Sequence, residues 1–246
     1  MTKKILIVLA VVAILAILWA NNAFGGEAQK EEKEPLFTGS LTVGYDSSYI
    51  FRGVNVLPGS GLFSTDLNVA SHGFTVDIWC ATGTNVRYQE VDFNIGYAHD
   101  IGPVTLAGGY MYYMYPGGGV NIHDSQEVYV AVSTSKLSKY VVPSLTYAYD
   151  FDQVRGSYLE LKVQGQFEVC SYFSLQPYVL TAYSFDYNRS GAHFNNVQAG
   201  LQGTVAITKS LSLQPYIAYS HGFDAVRDIT PKQDTFWGGV KLSVSF

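Results

Sequence analysis

The feature that most limits what this chain can fold into is a side-chain period of two, which runs with short interruptions from Leu36 to Phe246. The last stretch shows it most clearly. From Phe236 the apolar or small residues Phe236, Gly238, Val240, Leu242, Val244 and Phe246 fall on every second position, with Thr235, Trp237, Gly239, Lys241, Ser243 and Ser245 between them. A period of two puts each set on its own face of a β-strand, one greasy and one polar. The pattern recurs upstream. Leu41, Val43, Tyr45, Tyr49 and Phe51 oppose Thr42, Asp46 and Ser48, and Phe63, Leu67 and Val69 oppose Ser64, Asp66 and Asn68. Phe74, Val76 and Ile78 then oppose Thr75, Asp77 and Trp79, and Val91, Phe93, Ile95 and Tyr97 oppose Glu90, Asp92 and Asn94. After residue 35 no amphipathic helical window of useful length appears.

Counting gives about twelve strands, the first over 37–51 and the last over 234–246. Short turns alternate with longer linkers rich in Gly, Asn and Asp, the long ones at 52–60, 116–123, 188–193 and 224–233. The second half repeats itself: Ser174-Leu175-Gln176-Pro177-Tyr178 returns as Ser212-Leu213-Gln214-Pro215-Tyr216, with weaker relatives at Pro103 and Pro143. The period is one hairpin, and each proline is expected to open a strand, where its missing N–H costs least. Many strands with one apolar face, no helices and alternating loop lengths predict an all-β, antiparallel, up-and-down transmembrane β-barrel over 36–246, with the short turns and both termini on the periplasmic side. A soluble sandwich gives no reason for loop lengths to alternate.

Composition agrees. Only 14% of residues are charged, while Tyr and Gly number 19 and 24, as suits a barrel with aromatic girdles and a polar but mostly uncharged lumen wall. Tyr110, Tyr112, Tyr113, Tyr115, Phe185, Tyr187 and Phe223 crowd strand ends beside long loops and read as such a girdle. A net charge of −5 gives no footprint for nucleic acid. Cys80 and Cys170 fit neither a zinc site nor a disulfide framework, and no cofactor or metal is implied. Lys3 and Lys4 before the apolar run Ile5–Ala20, then small residues, read as a signal peptide over 1–28, with a charged leader over 29–35.

The closing aromatic Phe246, with Val240, Leu242 and Val244, resembles the terminal strand of bacterial outer-membrane barrels, the signal read by the barrel-assembly machinery. A narrower resemblance begins at Tyr49-Ile50-Phe51-Arg52-Gly53. Together with His72-Gly73-Phe74, Tyr112-Tyr113-Met114-Tyr115-Pro116-Gly117 and Glu127-Val128-Tyr129, this motif is similar to the TorF family of porin-like proteins, known as conserved hypothetical proteins. The similarity is densest before residue 135. It implies a small barrel in the bacterial cell outer membrane that passes solutes, and it brings no catalytic residue and no known substrate.

Parity places Asp46, Asp66, Asp77, Glu90, Asp92, Glu127, Asp150 and Glu160 on the lumen side, against Arg52, Lys162 and Lys241. Carboxylates lining a pore favour cations, so the expected function is passive passage of small hydrophilic solutes or ions with a weak cation preference. Arg52, where the first strand meets the first long loop, is expected to pair with Asp66 or Asp46 and hold that loop. Outer-membrane lipid, the assembly machinery and small solutes are the expected partners, and subunit number stays open. Two other readings remain: a structural or adhesive barrel with a plugged lumen, or a barrel hydrolase acting on lipid or peptide. The hydrolase would need a His–acid cluster at the outer rim, for which His221 with Asp224 and His193 with Asp186 are the candidates.

Overall fold

The computed structural model describes residues 36–116, 123–230 and 232–246. The expected signal peptide and leader lie outside them. In chain order the elements are β1 (Thr38–Asp46), β2 (Ile50–Phe51), β3 (Val54–Asn55), β4 (Leu62–Ser71), β5 (Phe74–Gly83), β6 (Gln89–Ile101), β7 (Val104–Met114) and β8 (Ser125–Ser133). Then follow β9 (Val141–Asp150), β10 (Ser157–Gly165), β11 (Phe167–Cys170), β12 (Phe173–Phe185), β13 (Ala192–Ala206), β14 (Leu211–Gly222), the one-turn helix α1 (Asp224–Arg227) and β15 (Asp234–Ser245).

All strands but β2 and β3 join one antiparallel sheet of 13 strands. Within it β10 and β11 are successive pieces of one stave, interrupted at Gln166, and both pair with β12. The sheet therefore has twelve staves, and it closes where β1 pairs β15, Leu41 opposite Val244. Backbone bonds between Gly39 and Phe246, at 2.9 and 3.0 Å, finish the seam. Closure follows from the strand chemistry: a sheet whose outer face repels water can leave no edge unpaired in hydrocarbon.

The period of two sorts the side chains as expected. Phe63, Val76, Ile95, Val130, Ile217 and Phe236 point outward and are exposed, Phe236 by as much as 69%. Asp66, Asp77, Trp79, Asp92, Gln176, Gln198 and Lys241 take the inner face.

Two local expectations are corrected. Pro103 stands immediately before β7 as expected, but the other three prolines do not open strands: Pro143 lies opposite Val163, Pro177 opposite Leu201 and Pro215 opposite Val240, all inside paired strands. For Pro143 the reason is visible. Its carbonyl accepts from Thr134, just past the end of β8, so the absent N–H removes a rung only at the sheet's margin. The first strand also stops at Asp46 rather than reaching 51. Beyond Ser47, whose N–H is bonded to Gly238, the chain turns into the barrel and forms the separate hairpin β2–β3.

Candidate functional site

Residues 47–61, the loop between β1 and β4 (loop 1), enter the barrel at its long-loop end. The β2–β3 hairpin turns on Arg52 and Gly53, whose φ angles are 49° and 79°. Positive φ at both central residues is what a two-residue type I′ turn requires, and glycine takes the second position without strain. A Cβ on Gly53 would lie 2.8 Å from the Asn196 Cβ, so the motif needs glycine there for space as well as for conformation.

At the tip Arg52 donates two hydrogen bonds to Glu127 on β8, each 2.7 Å, with the two side chains 12% and 4% exposed. The rings of Tyr187, Tyr158 and Phe51 flank the guanidinium, their centroids 4.4, 4.7 and 5.0 Å from its carbon. Burial pushes the Tyr187 phenol up to about 12, so the ring facing the cation stays neutral. On the other side the Arg52 carbonyl accepts from the Asn195 amide at 2.7 Å and the Asn188 amide at 3.3 Å. Glu127 is on the sixth stave from β1 and Asn195 on the tenth, so one residue ties two distant walls across the lumen.

A bulge makes the second tie possible. Between β12 and β13 the register shifts so that Asn196 opposes Ala182 and Phe194 opposes Tyr183, leaving Asn195 unmatched. One extra residue lets both asparagines face inward. They are 0% and 1% exposed, and Asn196 accepts from Tyr158 and donates to Ser220, each at 3.2 Å.

The rest of loop 1 lies on the β5–β6 wall. Leu57, Leu62, Ala81 and Tyr88 form a small apolar core inside the barrel, joined by Tyr49, Val56, Trp79 and Tyr115. Tyr88 donates to buried Glu90 at 2.6 Å.

The expected lumen residues thus divide into two groups. Arg52, Glu90, Glu127 and Asp150 are consumed by the architecture. Arg52 pairs with Glu127, not with Asp66 or Asp46, because the loop runs through the lumen instead of lying over its own strand. Asp150 accepts from Ser125 at 2.6 Å and from the Asp152 and Val154 amides at 3.0 Å, closing the loop after β9. Asp46 is bonded by the Tyr216 hydroxyl.

Asp66, Asp77, Asp92, Glu160, Lys162 and Lys241 remain around the bore. Sequence reasoning passed over Gln164, Gln176, Gln198, Gln202, Tyr178 and Tyr216, which with the two lysines and Leu180 line a cavity of about 260 Å³. The repeated Gln-Pro-Tyr of β12 and β14 carried that signal. Of the expected girdle, Tyr113, Tyr115 and Tyr187 turn inward onto loop 1, while Tyr110 stays exposed and Tyr112 half-buried. Neither rim pair expected of a hydrolase forms: His221 meets Asp234 at 2.8 Å, and His193 meets the Ser190 carbonyl at 3.0 Å.

A closed barrel with an apolar outer belt, a polar bore and an inward-folded loop defines a porin-like β-barrel fold. The NanC porin superposes with a TM-score of 0.54 at 15% identity, over 85% of this chain and 98% of that one. The KdgM porin gives 0.59 at 10% identity, over 84% and 99%, and a second KdgM structure, in complex with disordered oligogalacturonate, gives 0.54 at 8% identity, over 85% and 98%. No curated protein matches the chain in sequence. Residues 30–218 match the family described as bacterial protein of unknown function (Gcw_chp), and the chain belongs to that family.

Proposed function

We propose that this barrel is a passive channel of the bacterial cell outer membrane for small hydrophilic solutes or ions, narrowed by loop 1 and weakly cation-preferring. The observation that carries this reading is the pairing of an uninterrupted apolar exterior with a bore lined by polar side chains that no packed core absorbs. Twelve staves leave a modest channel, and the loop-1 brace reduces it further. The cation preference rests on Asp66, Asp77, Asp92 and Glu160 outnumbering Lys162 and Lys241 around the open part of the bore. The likeness in fold to the NanC and KdgM porins supports a channel, as does the resemblance of the Tyr49–Gly53 motif to the TorF family.

The test is single-channel conductance of the refolded chain in a planar bilayer under a salt gradient. Steady conductance with a cation-biased reversal potential is expected. One observation favours a second reading, a plugged barrel working through its outer loops: the apolar core around Leu57 and Leu62 fills part of the long-loop end. A folded, heat-modifiable barrel that conducts nothing would select that reading instead.

A further inference from the structure

Apart from Glu160, which stands two residues from Lys162 on β10, the charges of the bore are sorted by side. The strands β4, β5 and β6 contain no Lys or Arg, and their inner faces carry Asp66, Asp77, Glu90 and Asp92. The strands β12, β13 and β14 contain no Asp or Glu, and their inner faces carry Gln176, Tyr178, Gln198 and Gln202. In the ring of twelve these arcs are opposed: β4 stands six staves from β10, β5 six from β12, and β6 six from β13. Lys162 on β10 and Lys241 on β15 flank the acid-free arc, their ammonium groups 5.1 and 5.8 Å from the centres of the Tyr178 and Tyr216 rings. Both lysines and the glutamines line the 260 Å³ cavity. On the acidic side, the Asp92 Oδ1 is buried and has no hydrogen-bond partner among the described residues.

A bore built this way holds a field across its axis rather than along it. Any charged solute entering a narrow, partly dehydrated passage loses hydration, and only fixed groups of opposite sign offset the loss. A simple anion meets an acidic arc whose own strands carry no Lys or Arg. A neutral polyol gains hydrogen bonds from the amides and nothing from the field. A molecule carrying both an ammonium and a carboxylate can orient its dipole crosswise, the ammonium toward Asp77 and Asp92, the carboxylate toward Lys162 and the glutamines. The cavity has room for about nine waters, enough for one small solute at a time.

We infer that the bore selects small zwitterions, free amino acids and short peptides, over neutral solutes of equal size. The inference rests on the channel reading above and names its solute class.

The test is swelling of liposomes containing the refolded chain in isosmotic glutamine, arabinose or glutarate, which are close in size and differ in charge. Potassium chloride conductance is measured on the same preparations. Glutamine is expected to enter several-fold faster than either of the others. The double variant Asp77→Asn, Asp92→Asn is expected to bring glutamine down to the arabinose rate, and Lys162→Gln, which leaves the acidic arc intact, to reduce the preference on its own. Equal or faster arabinose entry through a conducting barrel overturns the inference and leaves the channel standing. A preference that survives both variants also overturns it. A folded barrel that passes neither solutes nor salt removes the channel reading, and the inference with it.

Discussion

Arg52 does three things at once: it forms half of a tight turn, half of a buried ion pair, and the acceptor for two amides. Arg52→Ala would strand the Glu127 carboxylate in a site only 4% exposed. Removing one partner of a buried pair costs about 3–5 kcal/mol, so urea unfolding of the variant in detergent should show a loss on that scale. Arg52→Lys should recover little of it, because one ammonium cannot make the paired bonds of a guanidinium fork. Two glycines of loop 1 allow a sharper comparison. Gly53 and Gly59 both have φ of 79°, but a Cβ on Gly59 meets nothing while one on Gly53 meets Asn196. Backbone strain is common to Gly53→Ala and Gly59→Ala, so the extra destabilisation at Gly53, expected to exceed about 1 kcal/mol, measures the close approach. That Arg52 holds its loop is legible in the sequence, since a lone arginine at a strand–loop junction in an acid-rich bore has few other roles. Its partner is not legible: Glu127 lies 75 residues away, and only the path of the loop brings it near.

Loop 1 is where period-two reading breaks down, for a physical reason. Tyr45, Tyr49 and Phe51 keep an apolar beat whether the chain continues up the outer wall or folds inward, because both destinations exclude water. Ser47 and Ser48 mark the change of course only weakly. The bulge in β13 left a better trace: Phe194 and Val197 face outward three positions apart, a spacing that strict alternation forbids, and Asn195 and Asn196 fill the gap. Deleting Asn195 should restore the rhythm and remove the shorter of the two bonds to the Arg52 carbonyl. The expected result is higher conductance in a barrel that still runs as a heat-modifiable band. Replacing residues 48–58 by a short turn should raise conductance further and add open-channel noise. The staves were readable because twelve repetitions of one pattern reinforce each other, whereas a loop occurs once.

At the scale of the whole molecule the cation bias should come from few groups. Glu90, Glu127 and Asp150 are buried and bonded, which leaves Asp66, Asp77, Asp92 and Glu160 to act on a passing ion. Asp66→Asn with Asp77→Asn should lower the reversal potential under a salt gradient. The wild-type bias should also shrink between 0.1 M and 1 M salt, as the screening length falls from about 10 Å to about 3 Å.

The seam has a kinetic consequence. Ser40 pairs with Ser245 and Asp46 with Gly239, contacts that join residues from opposite ends of the described chain. Eleven other stave pairs can form between sequence neighbours, each by closing a modest loop, but this last one must bring together ends separated by the whole circumference. Until it does, two strands present unpaired amides to any other chain. Refolding should therefore stall at an open, aggregation-prone sheet, at a rate set by the final juncture and indifferent to substitutions in loop 1.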